Sequence, residues 1–251
     1  MKHIILSIVF LTAMFSAVSA NVKDEKLSYN IMYKWGLIHK KAGEVHLDTR
    51  NNTDGTFSAT LTGGTAKWAD RFYEVRDTLT GRIKTDGIVP EWYLKVSHEG
   101  GDYKRDYITY TRHGDSVTAL CDRQRRKKPD RPLELSQKEL KASGYTLDML
   151  SAFYYMRHMD FPAMKIGDSR TMNIFSGKRK EILRITYHGK KNVEVAGADK
   201  ECYYITFSVT SDGKKKSSDG LKAWISTGSD RIPYRMEGKL PVGSVKAIYV
   251  P

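Results

Sequence analysis

Two Gly-Asp-Ser triplets, at residues 114–116 and 167–169, carry hydroxyl groups of the kind that serve as nucleophiles. A nucleophilic serine needs a base within hydrogen-bond reach and a strained turn that exposes it. Neither triplet has the Gly-x-Ser-x-Gly frame, and both lie where a turn opens a strand. Turn formation explains them, so we predict no catalytic residue.

The histidines of the chain show no metal-binding spacing. Beyond the first twenty residues they are His39, His46, His98, His113, His158 and His188. No His-x-x-x-His or His-Glu-x-x-His pair occurs, and there is neither a Cys-x-x-Cys motif nor a glycine-rich phosphate loop. We therefore expect surface histidines, no metal site and no cofactor.

Two cysteines, Cys121 and Cys202, are available for redox chemistry. A disulfide between them would close a long loop and stabilise the fold by about 4 kcal/mol on a chain-entropy argument. Cys121 lies on the apolar side of its predicted strand and Cys202 on the polar side of its own. Two free, buried thiols are an equal alternative, and the sequence leaves the pairing open.

A basic stretch, DRQRRKKPDRP, spans residues 122–132 and is predicted to be a polar loop. Its candidate partner-binding residues are Arg123, Arg125, Arg126, Lys127 and Lys128, because clustered cations attract anionic lipid or glycan. A solvated connection without a partner is the alternative, and it is the interpretation that we favour.

Aromatic residues are dense in the first half of the chain. Tyr33, Trp35, Trp92 and Tyr107 are the candidate ligand-binding residues, since a curved sheet lined with aromatic rings suits an apolar or sugar-like molecule. Tyr and Trp also fill β-sheet cores, and core packing explains most of the aromatic residues.

The elements that position these residues are strands, because period-two alternation dominates the chain. Leu27, Tyr29 and Ile31 share one parity, and Tyr203, Ile205 and Phe207 repeat the pattern near the other end. Glycine-rich turns separate the runs, with no helix between the early strands. We predict a mainly β fold of curved antiparallel sheets, forming a barrel-like or half-barrel sandwich.

One central helical segment is predicted at about 136–159. Ser136 and Glu139 form a possible capping box, Gly144 interrupts the helix, and Thr146 caps a second, largely buried helix that runs to about Met159. Residues 21–251 form a single β-rich domain on this interpretation. Its halves, about 21–121 and 170–251, are joined by the basic loop and the helix.

The first twenty residues resemble a signal peptide, with an apolar run and small residues before Asn21. The chain has 251 residues and a formal net charge of +13. Removing Lys2 lowers the basic count from 42 to 41 against 29 acidic residues, which leaves +12 on 231 residues. We expect an exported protein, periplasmic or otherwise extracytoplasmic. With no cysteine near the cleavage point, it is not a lipoprotein.

Export narrows the partners that the charge suggests. An exported protein rarely meets nucleic acid, so the expected partners are lipid, glycan or another envelope component. No second apolar run of membrane-spanning length occurs, so we expect no transmembrane span in the mature chain.

Three stretches together resemble a known family. They are residues 33–38 with Gly43, residues 147–157 followed by 166–168, and the closing pattern at 224–226, 230–237 and 243–245. They are similar to the exported bacterial proteins known as domain of unknown function 3108. The resemblance implies a β-rich envelope protein and brings no established activity, cofactor or catalytic set. Within these stretches, we expect Arg157 either to offset the dipole at the C-terminal end of its helix or to pair with a carboxylate such as Asp160. Pro233 suits the start of a strand or the edge of a sheet.

Two functional hypotheses follow, with an enzyme, most plausibly a hydrolase, as a third alternative. The first is a non-enzymatic periplasmic protein that binds an apolar or amphipathic molecule on its curved sheet. The second is an envelope assembly or interaction protein with a solid core and no small-molecule site. A hollow or a filled interior distinguishes the two.

Overall fold

A computed structural model describes residues 22–211, 218–240 and 242–251. The predicted signal peptide lies outside the described residues. The described residues form one sheet of fifteen strands, and a short helix α1 and a longer helix α2 interrupt the strand sequence. The strands are β1 Glu25–Trp35, β2 Ile38–Asn51, β3 Thr56–Thr65, β4 Val75–Lys84, β5 Val89–Glu99, β6 Asp102–His113, β7 Ser116–Arg126, β8 Glu134–Ser143, β9 Thr146–Leu147, β10 Ser169–Ser176, β11 Arg179–Val195, β12 Ala198–Ser211, β13 Ser218–Ser226, β14 Pro233–Lys239 and β15 Ser244–Val250; the helices are α1 Lys67–Asp70 and α2 Met149–Arg157, and a 3₁₀ turn spans Phe161–Ala163.

The strands follow a simple order around the sheet. From one edge to the other it runs from β8 down to β1, then from β15 down to β9. Every neighbouring pair is antiparallel except β9 and β10, which are parallel. The sheet curls until β8 approaches β11, so that it nearly closes into a barrel. The predicted mainly β, barrel-like fold is confirmed.

Alternation along each strand separates an inner from an outer face. On β1, Leu27 and Tyr29 are buried while Lys26 is exposed, and on β3, Phe57 and Ala59 are buried. Period-two side chains stand on opposite faces of a strand, so these residues form the inner face of the barrel. The predicted start of a strand at Pro233 is confirmed by β14.

Helix α2 begins with a reciprocal cap. The Ser151 amide donates to Asp148 Oδ1 at 2.8 Å, and the Asp148 amide donates to Ser151 Oγ at 2.8 Å, which is a capping box. A buried helix near this position was predicted correctly. The predicted cap at Thr146 is wrong, because Thr146 lies in β9, where its backbone pairs with β10.

The helix packs inside the curved sheet. Leu150 and Tyr154 join the core formed with β1–β8, while Ala152, Tyr155 and Met156 join a second core formed with β10–β13. The Tyr154 ring contacts the Phe57 ring of β3, with centroids 4.7 Å apart. Because α2 faces both halves of the sheet, its side chains fill the interior between them.

The first part of the predicted helical segment is wrong. Residues 134–143 form β8, which pairs with β7 along its whole length, from Ser116 with Ser143 to Arg125 with Glu134. Pairing with β7 outweighs the helix propensity of this Lys- and Glu-rich stretch. The predicted basic loop at 122–132 is also wrong in its first half, because residues 122–126 complete β7.

The structure gives definite partners for Arg157 and a definite state for the two cysteines, both of which the sequence left open. Arg157 pairs with Glu25 of β1 rather than with Asp160, since the helix end faces the start of the first strand. Cys121 and Cys202 are free thiols, buried in separate cores. Burial raises the pKa of each thiol to about 11, which keeps both protonated near neutral pH.

Candidate functional site

The sheet leaves one seam, between the edge strand β8 and the β10–β11 hairpin. A cavity of about 430 Å³ opens there, lined by Lys138, Lys141, Lys178, Arg179 and Lys180 among others. In the described part of the chain, Glu139 is the acidic residue that lines it, and Lys141 binds its carboxylate at 2.7 Å. Cations therefore dominate the seam.

A second cavity of about 270 Å³ continues from the seam into the inner face of the barrel. Arg179 lines both cavities, and we call them together the seam cleft. Nine Lys and Arg residues line the cleft against three acidic residues, Asp106, Glu139 and Glu181; the cations are Lys95, Lys104, Arg123, Arg125, Lys138, Lys141, Lys178, Arg179 and Lys180. This excess gives the cleft a positive potential.

One cation of the inner cavity, Arg123, is held by a buried carboxylate. Arg123 donates through Nε to Asp106 Oδ1 at 2.5 Å and through Nη2 to Asp106 Oδ2 at 2.8 Å. The Asp106 side chain is almost fully buried, and this bidentate bond raises the pKa of Arg123. The geometry fixes the guanidinium plane, as expected for a paired arginine.

Two further inward-facing cations, Arg125 and Lys95, are also paired with carboxylates. Arg125 donates to Asp102 Oδ2 at 2.6 Å, a bond that lowers the pKa of Asp102. The Lys95 ammonium lies 3.3 Å from Asp77 Oδ2, while burial raises the pKa of Asp77. Paired cations of this kind offer limited attraction to a ligand.

Other cations of the seam cleft lack such partners. Within the described residues, no ion pair forms at Lys104, Lys138, Lys178 or Arg179. Their charges are therefore available to an anion. They come from β6, β8 and the β10–β11 hairpin, so they reach the cleft from both sides of the seam.

A buried hydroxyl also reaches the seam cleft. Tyr93 lines the inner cavity and is fully buried, and its hydroxyl oxygen has no hydrogen-bond partner among the residues that the structure describes. Burial raises the pKa of Tyr93 well above its ordinary value, so the group remains a donor. An unpartnered buried polar group is costly, and a bound acceptor would satisfy it.

The β10–β11 turn closes tightly over this region. Gly177 has a φ of 61°, and a Cβ at this position would stand 2.6 Å from Arg123 Nη2 and closer still to Asp106. Only glycine allows this approach. The turn thus holds the hairpin against the Arg123–Asp106 pair.

The predicted basic residues divide between two environments. Arg123 and Arg125 line the seam cleft, whereas Arg126, Lys127 and Lys128 are exposed at the end of β7 and in the turn that follows. The alternation of β7 turns neighbouring arginines to opposite faces. The remaining cations of the seam cleft come from β5, β6, β8 and the β10–β11 hairpin. The cluster Lys178-Arg179-Lys180 is visible in the sequence as a group of cations. Its position beside β8 could not be predicted from the sequence.

The four aromatic candidates are not brought together. Trp92 and Tyr107 are neighbours on β5 and β6, with ring centroids 6.1 Å apart. Tyr33 and Trp35 lie on β1, separated from β5 by three strands. The aromatic residues therefore form no common ligand site in the described structure.

A cavity larger than the seam cleft lies elsewhere in the described structure, as an open groove on the sheet. It measures about 820 Å³ on the β2–β5 part of the sheet, beside α1. Gly63 and Gly64 form part of its floor, and His46, Arg76 and His98 are among its walls. Arg76 is already paired with Asp70 at 2.8 Å, so this groove offers less free charge than the seam cleft.

Other chemistry is sparse in the described residues. No cluster of three or more His, Cys, Asp or Glu side chains could hold a metal ion there. Among the histidines, four are exposed, while His158 and His188 are half-buried and bonded to Tyr154 O and Thr206 Oγ1. No helix in this part of the chain has the length and apolar character needed to cross a membrane.

Comparison with known proteins identifies a family for this chain and a solved structure with a similar β-barrel-like fold. The sequence model of the family called protein of unknown function DUF3108 matches residues 28–249. The chain belongs to this family. The resemblance predicted from the three sequence stretches is confirmed, and no curated protein matches the chain.

The fold of this DUF3108 protein is also seen among solved structures. One example is a β-barrel-like protein of domain of unknown function DUF1849 from Brucella abortus, described from its crystal structure. The two have a TM-score of 0.60 at 10% sequence identity, and the match covers 90% of this chain and 94% of the other. At this identity the likeness establishes the fold alone.

Proposed function

We propose that this DUF3108 protein is an exported, non-enzymatic envelope protein that binds an anionic envelope component in the seam cleft. The observation that carries the proposal is the cation excess of the cleft, nine against three, with the unpartnered Tyr93 hydroxyl at its inner end. Lys and Arg bind phosphate and carboxylate groups through charge-assisted hydrogen bonds. The ligand class is an amphipathic lipid or a glycan that carries such a group.

The filled interior favours this site over a ligand carried inside the barrel. Helix α2 occupies the space between the two cores, and Leu150 and Tyr154 are fully buried there. An apolar molecule would have to displace these side chains. The seam cleft needs no such rearrangement, because it already opens at the sheet edge.

The proposal is tested with two phosphate-bearing probes, glycerol 3-phosphate and short-chain phosphatidylglycerol, by calorimetric titration of the mature chain. We expect binding that weakens with salt and falls about tenfold in the Lys138→Glu, Lys178→Glu double variant. The matched control is Lys84→Glu, Lys165→Glu, which reverses two exposed charges away from the seam. Tighter binding of the lipid than of glycerol 3-phosphate assigns an amphipathic ligand; equal binding assigns the phosphate group alone.

A second candidate is an interaction protein that has a solid core and no small-molecule site. The filled interior favours it, and it predicts that neither probe binds. Native mass spectrometry of protein purified without detergent gives an independent measurement. A chain that carries no bound anion and binds neither probe would replace our proposal with this alternative.

A further inference from the structure

Six connections of the described chain lie at one end of the barrel. Neighbouring strands are antiparallel, so the β1–β2, β3–β4, β5–β6, β7–β8, β10–β11 and β14–β15 connections all emerge on the same side. We call this side the basic end. The β2–β3, β4–β5, β6–β7 and β13–β14 connections emerge at the opposite end.

Contacts join these connections into a continuous rim. The Tyr33 hydroxyl of β1 donates to Val242 O, between β14 and β15, at 3.0 Å. The Trp68 indole, between β3 and β4, donates to Lys41 O of β2 at 2.8 Å. These bonds tie each connection to the strand beside it.

The rim continues around the barrel in the same way. A Cβ at Gly100, in the β5–β6 turn, would stand 2.6 Å from the Tyr73 ring, so this turn lies against the β3–β4 connection. A Cβ at Gly101 would lie 4.0 Å from Pro129 of the β7–β8 connection. The rim is therefore one surface rather than a set of isolated loops.

Exposed apolar side chains concentrate on the basic end. Of the eleven large apolar residues that are exposed in the described structure, eight lie here: Trp35, Leu37, Phe72, Tyr73, Leu133, Leu135, Leu240 and Val242. Leu37 is 105% exposed and Phe72 is 82% exposed, so both protrude fully into solvent. A grouping of this kind marks an interaction surface.

Cations surround these apolar tips. Nine exposed Lys and Arg residues belong to the basic end, and none of them forms an ion pair within the described chain; they are Lys34, Lys40, Lys67, Arg71, Arg126, Lys127, Lys128, Arg131 and Lys239. The exposed acidic residues in the connections and strand ends of the basic end are fewer, namely Glu74, Asp130 and Glu134, so this end keeps an excess of positive charge. At the opposite end, exposed lysines such as Lys84 and Lys200 are accompanied by five exposed aspartates: Asp54, Asp86, Asp115, Asp199 and Asp230.

We propose that the basic end docks on the surface of an anionic lipid bilayer. Apolar tips that protrude beside unpaired cations match the acyl boundary and the anionic headgroups of such a surface. Trp35 and Tyr73 are residue types that favour the interface between headgroup and acyl chain. The aspartates at the opposite end face away from the bilayer in this orientation, which removes their repulsion.

The test is flotation of the mature chain with phosphatidylcholine vesicles, with and without phosphatidylglycerol. We expect binding to the anionic vesicles and little binding to the neutral ones. Each cation near an anionic surface changes the partition coefficient roughly fivefold. The double variant Lys127→Glu, Lys128→Glu should therefore lower the partition coefficient on anionic vesicles by more than about tenfold. The control Lys84→Glu, Lys165→Glu reverses two charges away from the rim.

Apolar contact is tested separately. Leu37→Glu should reduce the partition coefficient, whereas Ile166→Glu should not, although Ile166 is 74% exposed as well. Tryptophan fluorescence should shift to shorter wavelength on vesicle binding, and Trp35→Phe should reduce that shift, with Trp68 of the same rim giving the remainder. Both readouts use exposed positions, so the variants should remain folded.

Three results would overturn the proposal: no binding to anionic vesicles, equal losses in the control variants, or vesicle binding with no change at Trp35. Self-association that disappears in Leu37→Glu, without vesicle binding, would assign the rim to a second copy of the chain instead. None of the substitutions lies in the seam cleft, so failure here leaves the proposed anion-binding function untouched.

Discussion

Arg157, at the end of the helix inside the barrel, binds both carboxylate oxygens of Glu25 on the first strand. The distance from Nη2 to Oε2 is 2.9 Å. The same guanidinium donates to Asp230 O at 2.8 Å and to Arg231 O at 3.0 Å. One side chain, 3% exposed, therefore connects β1, α2 and the β13–β14 loop. These contacts stabilise the nearly closed barrel from its interior.

Removing Glu25 should destabilise the protein more than removing its partner. In Glu25→Ala the buried Arg157 keeps its charge without a counter-ion, and we expect a loss of about 3 kcal/mol in the free energy of unfolding. In Arg157→Met the apolar side chain fills the same space, and the loss should be smaller. Urea unfolding of both variants measures the difference; equal losses would contradict this asymmetry.

A second buried contact lends itself to a double-mutant cycle. Thr49 Oγ1 and the Tyr154 hydroxyl lie 2.5 Å apart, with both side chains fully buried. Tyr154→Phe leaves Thr49 unsatisfied and should cost about 1–2 kcal/mol. Adding Thr49→Val removes the second polar group and should recover part of that loss. Additive losses would show that the two hydroxyl groups do not interact.

Part of the fold could be predicted from the sequence because alternation is a local signal. Strand periodicity, the turns and the buried helix were all visible in this way. Strand β8 was not: Glu134–Ser143 contains good helix formers, and only pairing with β7 makes it a strand. Long-range pairing of this kind leaves no mark in the local pattern.

The seam cleft was predictable only in part. Arg123 and Arg125 stood out as cations, but their inward orientation depends on β7 extending to Arg126. Lys138 and Lys178 are 40 positions apart in the chain and meet only because the sheet curls. The curvature and near closure of the sheet decide which residues share a site, and neither can be predicted from amino-acid composition.

Gly177 should be intolerant of substitution because of what lies beside it. In Gly177→Ala, the new methyl group collides with the Arg123–Asp106 pair and the backbone is held at positive φ. Gly114→Ala is the matched control, since its φ is 56° and nothing lies within 4 Å of an added Cβ. We expect a loss of about 2–3 kcal/mol at Gly177 and about 1 kcal/mol at Gly114. Equal losses would show that the collision is relieved.

Tyr93→Phe should separate stability from ligand binding. The Tyr93 hydroxyl is buried without a partner, so its removal should leave the free energy of unfolding unchanged or raise it by up to about 1 kcal/mol. Binding of glycerol 3-phosphate, measured by calorimetry, should weaken in the same variant. A destabilised variant with unchanged binding would place this hydroxyl outside the anion site.

Asp148, the cap of α2, should make the stability of the protein depend on pH. Burial raises the pKa of this carboxyl to about 6, with its Ser151 bonds and the nearby Arg112 charge acting in the opposite direction. Oδ2 is buried without a hydrogen-bond partner, as suits the protonated oxygen. Between about pH 4 and pH 6 the folded state then holds a proton that the unfolded state has released.

The folded state binds more protons in this window, so the free energy of unfolding falls as pH rises through it. The raised pKa corresponds to a fall of roughly 3 kcal/mol, complete above about pH 6. Asp148→Asn keeps an oxygen that can accept from Ser151 and cannot ionise. Urea unfolding of both proteins from pH 4 to pH 8 should show the stability of Asp148→Asn rising relative to the natural chain as pH increases. A stability difference between the two proteins that stays constant from pH 4 to pH 8 would place the pKa of Asp148 at its ordinary value, and a fall of Asp148→Asn relative to the natural chain would place that pKa below it.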